Sequence, residues 1–149
     1  MTGPELHFIT VADASRRITR RELSPVELTE AYLQRIAAVD DQLQSFVMLT
    51  ADLARRQAKA AEAEIMRGGP RGPLHGIPYC LKDIVETAGI RTTAQSKLLA
   101  DHVPAKDSAV AAKLAAAGPR IEPPVSLPIV AGARPAATAA PEPEDEPAG

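Results

Sequence analysis

Apolar residues recur at helical spacing through the first two thirds of this chain, and the polar residues between the stripes mark starts and stops. Thr10 can cap a first helix running to about Glu22, with Val11, Ala14 and Ile18 on one side. Ser24-Pro25-Val26-Glu27 is a stronger start. Ser24 can cap, Pro25 suits the first helical turn, and Glu27 can reach back to close a capping box. The helix that follows carries Leu28, Tyr32, Ile36 and Val39 as one buried stripe. Gln44 to Leu49, which contains Phe46-Val47-Met48-Leu49, reads as a short strand or extended segment. Thr50 can then cap a third helix from Ala51 to Arg67, lined by Ala54, Ala58, Ala61 and Ile65. Gly68-Gly69-Pro70 supplies a left-handed cap and a proline stop.

Beyond this point the pattern changes. A loop dense in glycine and proline, residues 71–78, leads into an apolar run, Tyr79 to Val85, that reads as a strand. Thr87-Ala88-Gly89 reads as a turn. Asp107 or Ser108 caps a last helix with Val110, Leu114 and Ala117 as its stripe, closed by Gly118. Helices around one clear strand make the opening of an α/β fold, in which a helix returns the chain to a parallel neighbour strand. After Gly118 only Val125 to Val130 offers such a strand, and Pro128 removes a ladder donor from it. The strand Tyr79 to Val85 is therefore expected to lack a partner, to expose its edges and to promote association.

Composition divides the chain at the same place. Residues 1–118 hold 15 basic and 14 acidic side chains, whereas residues 119–149 hold 2 basic and 5 acidic, with 8 of the 14 prolines. The first part is a candidate domain. The second has the composition of a disordered, protease-sensitive tail, with too little apolar bulk to offset the entropy of ordering. The near-neutral first part gives no electrostatic case for nucleic acid. The basic pairs Arg16-Arg17 and Arg20-Arg21 read as a solvated helix face, flanked by Asp13 and Glu22. No apolar run approaches the ~20 residues that span a bilayer, so no membrane partner is expected. Met1 is followed by no basic segment leading into an apolar stretch, which argues against a signal peptide. The single cysteine, Cys80, forbids an internal disulfide and fits a reducing, cytoplasmic setting.

The chemistry concentrates in Gly76-Ile77-Pro78-Tyr79-Cys80-Leu81-Lys82-Asp83. A lysine at the end of an apolar run is costly unless paired or neutral, and that placement suits a base. This Gly-Ile-Pro-x-x-x-Lys-Asp pattern, with Thr92-Thr93 and Ser96 downstream, resembles the amidase signature family over about residues 5–118. The resemblance implies an α/β fold and hydrolysis of carboxamide C–N bonds, with ammonia transfer in amidotransferase relatives. It also implies a catalytic unit of a serine nucleophile, a second serine in a cis peptide and a lysine. The neutral lysine takes a proton relayed by the bridging serine, and backbone N–H groups of a Gly-rich loop hold the oxyanion. Only the lysine carries over, onto Lys82. Asp83 reads as a structural residue bonding loop backbone, with a lesser chance of orienting Lys82. Cys80 would share the face of Lys82 in a strand and reads as a small core residue. His75 reads as bonded to loop backbone, and His7 and His102 as isolated. No cofactor or metal is implied.

The Gly-Ser-Ser-Gly-rich segment that bears both serines in the family does not occur among these 149 residues. Ser126 is the only serine after Ser108, and it lies in a proline-rich stretch without glycine. The chain is thus expected to be an incomplete N-terminal part of an amidase fold, truncated or frame-shifted near Gly118 and inactive alone. Its substrate by descent is a small-molecule amide. A different class of reading is a helical interaction module whose apolar stripes dock on a partner.

Overall fold

A computed structural model describes residues 3–118 and 129–131. A 3-10 helix, Gly3–Phe8, is followed by α1 (Val11–Thr19), α2 (Pro25–Leu43), α3 (Ala51–Gly68), β1 (Cys80–Lys82), a second 3-10 turn (Lys97–Leu99), α4 (Ala109–Ala117) and β2 (Ile129–Ala131).

The helix starts follow the local chemistry. Thr10 accepts from the Asp13 N–H at 3.1 Å, and Ser108 from the Ala111 N–H at 3.3 Å. Ser24 accepts from Val26 and Glu27 at 3.0 and 3.3 Å. The Ser24 hydroxyl itself donates to Glu62 of α3 and so ties the start of α2 to the end of α3. The hydroxyl thus turns to α3, and the cap rests on Ser24 rather than on a reciprocal box with Glu27. Thr50 makes no side-chain cap bond to α3.

Ends are less regular. Helix α1 stops at Thr19, short of Glu22, although no glycine is near. Arg21 takes the left-handed conformation at φ 59°. The Glu22 N–H bonds Arg17 O at 2.8 Å and the Arg21 N–H bonds Ile18 O at 2.9 Å. Together these form a Schellman-type close. Gln44 closes α2 in the same region of backbone space, at φ 48° and ψ 42°, and Asp40 Oδ1 accepts from Ser45 at 2.7 Å. Gly69 ends α3 at a positive φ of 79°, with ψ extended rather than left-handed.

Helices α2 and α3 form an antiparallel hairpin. Ser24 meets Glu62 at one end, and Arg55 grips Glu30 through Nε and Nη2 at 2.6 and 3.2 Å farther along. The alanine stripe of α3, Ala54, Ala58, Ala61 and Ile65, is buried as expected, and its small side chains let the helices approach closely. The main core joins Leu6, Ala14, Ile18, Leu23, Leu28, Ala31 and Ile65, with Ile9, Tyr32 and Ile77 partly buried against it. Leu6 comes from the N-terminal 3-10 helix, which the periodicity does not predict. On α4 the buried residue is Ala111, while Val110 of the expected stripe is exposed.

The strand region needs correcting in two respects. β1 is three residues long rather than spanning Tyr79 to Val85. It also has a partner: β2 lies parallel to it, with Cys80 opposite Ile129, Leu81 opposite Val130 and Lys82 opposite Ala131. The pairing falls immediately after Pro128, so the proline's missing donor does not interrupt the ladder. The crossover between the strands contains α4, the connection a parallel pair requires. Apart from β2, the stretch expected to be a disordered tail lies outside the described residues.

Candidate active site: the end of strand β1

Pro78 and Tyr79 deliver the chain into β1, where side chains alternate. Leu81 turns inward and is buried, while Cys80 and Lys82 share the opposite, exposed face. The expectation that the two share a face holds. The expectation that Cys80 is a core residue does not, because period-two alternation places the core contact on Leu81. Among the described residues Lys82 Nζ has no hydrogen-bond or ion-pair partner. A lysine acts as a base only when its ammonium form is disfavoured by burial or by neighbouring charge. The exposed face of β1 supplies no such wall among the described residues.

Asp83 is the best-connected side chain nearby. It is 3% exposed. Its Oδ1 accepts from the Thr93 N–H at 2.8 Å, and its Oδ2 accepts from the Thr93 hydroxyl and from the Gln95 N–H at 3.4 Å. Its backbone carbonyl accepts from Ala94 at 2.8 Å. This is the loop-bonding role expected of it. The Val85 N–H closes a turn on Lys82 O at 2.9 Å.

His75 anchors the loop that leads into the strand. It is 1% exposed. Its Nδ1 accepts from the Arg71 N–H at 3.1 Å. That bond leaves the proton on Nε2, which faces Glu64 Oε2 at 3.3 Å. Arg71 Nη2 lies 3.1 Å from the same carboxylate oxygen and also donates to Gly118 O at the end of α4. Burial and the Arg71 charge hold the imidazole below its usual pKa, and Glu64 opposes them only in part. His75 thus joins α3, the loop and α4 as a neutral hub, as its expected loop role implied. Glu64 and Arg71 belong to this hub but carry no motif that would single them out in the sequence.

Gly76 follows at φ 86°. A Cβ there would lie 2.7 Å from Pro25 Cγ and 3.3 Å from Ile65 Cδ1. The loop can therefore cross the junction of α2 and α3 only with glycine at this position. His102 pairs with Glu86 at 3.2 Å on the surface, and His7 lies against Phe8, so neither histidine approaches Lys82 through these contacts. Ser126 lies outside the described residues.

Likeness to known proteins bears on this geometry directly. The Amidase family model matches residues 27–122. The chain belongs to the amidase signature family. A glutamyl-tRNA(Gln) amidotransferase subunit from Roseiflexus sp. (strain RS-1) is 46% identical over 113 residues, covering 76% of this chain and 23% of that protein. A peptide amidase solved with the competitive inhibitor chymostatin superposes with a TM-score of 0.70 and 39% identity, over 81% of this chain and 24% of its own. The native peptide amidase of Stenotrophomonas maltophilia gives 0.67 and 41%, over 72% and 22%. This amidase-family chain therefore spans about a quarter of the length of the relatives it matches. The reading as a helical docking module finds no support: the α3 stripe and Leu28 of α2 are buried, although Tyr32, Ile36 and Val39 of the expected α2 stripe are only half-buried.

Proposed function

We propose that this chain supplies the lysine-bearing part of an amidase centre, with Lys82 as the base for cleavage of a carboxamide C–N bond in a small-molecule amide. The observation that carries the reading is the placement of Lys82. It stands at the end of a strand inside the matched segment, on an open face, with the preceding loop fixed by His75 and Gly76 and the following one by Asp83. In the reaction so proposed, a serine hydroxyl attacks the amide carbonyl, and its proton passes through a bridging serine to neutral Lys82. That proton then goes to the leaving amine, water hydrolyses the acyl-enzyme, and the ammonia freed from a primary amide is released or passed on. The two serines have no counterpart in the 149 residues. The serine-bearing part of such a centre would also shield Lys82 from water, which its role as base requires. The names of the relatives leave both hydrolysis and transamidation open within this proposal.

The test is turnover of a panel of simple aliphatic and aromatic amides by the purified chain. The expected result is none above the uncatalysed rate. Turnover that disappears in Lys82→Ala would overturn the claim that the serine pair is missing.

A further inference from the structure

We propose that Asp83 is the positioning residue of Lys82, holding the end of β1 in place through a strained loop; this rests on the reading of Lys82 as the base. Ala94 and Gln95 are consecutive non-glycine residues with φ of 48° and 56°. Neither has a side chain suited to that region of backbone space, and both are exposed, so packing does not impose the conformation. Such strain persists only where the surroundings over-determine it. Here the surroundings are Asp83. The turn directs the N–H groups of Thr93 and Gln95 onto the buried carboxylate, and the N–H between them, that of Ala94, onto the Asp83 carbonyl. Backbone N–H groups converging in this way form an anion-binding nest. The anion is the residue that follows Lys82 in the chain.

The consequence falls on Lys82. On one side its backbone is in register with Ala131 of β2. On the other, the next residue is clamped by its carboxylate and its carbonyl. The Cα–Cβ direction of Lys82 is therefore fixed even though its ammonium group touches nothing among the described residues. A base on an open face needs this if the serine-bearing part of the centre is to find it in a set place.

The experiment uses the full chain with its lysines reductively 13C-dimethylated, and reads the methyl signal of Lys82 by NMR beside amide hydrogen exchange. Asp83→Ala should lower protection of the Thr93 amide by about tenfold or more, the loss of one charge-assisted bond, with a smaller loss at Gln95, whose N–H also bonds Thr93 Oγ1 at 3.1 Å. It should also shift the Lys82 methyl signal towards its value in the denatured chain, leaving those of Lys59 and Lys113 in place. Asp83→Asn keeps one acceptor for the Thr93 N–H and should give a smaller change in both readouts. Adding Ala94→Gly and Gln95→Gly to either variant relieves the strain and should restore the Lys82 signal in part. If Asp83→Ala does not fold, Asp83→Asn and its glycine rescue carry the test. Loss of loop protection with an unmoved Lys82 signal would overturn the proposal and leave Asp83 as a loop fastener alone. These readouts do not depend on amide turnover, so they separate this proposal from the assignment of Lys82 as a base.

Discussion

At the scale of single residues, His75 shows how a buried titratable group ties folding to pH. Its folded-state pKa is depressed below the ordinary 6.5, chiefly by burial. The unfolded chain therefore binds a proton that the folded chain resists. The sign follows: stability is full above about pH 6.5 and declines as the pH falls below it. Urea unfolding between about pH 7.5 and pH 5 should show that decline, and His75→Gln should flatten it. Because the ring also accepts the Arg71 N–H and faces Glu64, His75→Ala should cost about 2 kcal/mol or more near neutral pH by leaving buried groups unpaired. A variant as stable as the parent would show that water takes over these bonds. The motif around Lys82 made Cys80, Lys82 and Asp83 visible in the sequence, but not their environments. Cys80 looked like core and is exposed, because alternation in a three-residue strand spends its inward position on Leu81. Arg21 ends α1 without any signal, since a left-handed arginine is set by the hydrogen bonds around it and not by its own preference.

At the scale of elements, legibility tracked local chemistry. The start of α2 was readable because Ser24 and Pro25 each do there what they do at helix starts generally. The stripe of α3 was readable because four small or apolar residues recur on one face. The 3-10 helix carrying Leu6 and the strand β2 were not, because each is short and owes its place to tertiary contacts. Two substitutions probe the joint between elements. Ser24→Ala removes the α2 cap and the bond to Glu62, and thermal or urea denaturation should register a loss of about 1–2 kcal/mol. Gly76→Ala should cost more, about 2–4 kcal/mol, because the added methyl meets Pro25 and Ile65 at a positive φ. Equal losses for the two would mean that the loop can shift away from the α2–α3 junction and does not fix the entry to β1.

At the scale of the whole molecule, the described residues form a helical layer whose core holds the loop leading into β1, with Lys82 on the open side of that strand. Two large apolar side chains that follow β1 in the chain are exposed. Ile84 is 60% exposed and Leu98 95% exposed. Burying such groups is what the serine-bearing part of the proposed centre would offer. The central proposal is that Lys82 is the base of an amidase centre completed by a serine-bearing segment. The most direct measurement is amide hydrolysis by this chain co-expressed with the serine-bearing remainder of the Stenotrophomonas maltophilia peptide amidase, its own N-terminal part removed. The account predicts hydrolysis by the purified complex that neither polypeptide shows alone, falling by about a hundredfold or more in Lys82→Ala, as removal of a general base does. Hydrolysis that survives Lys82→Ala undiminished would contradict it.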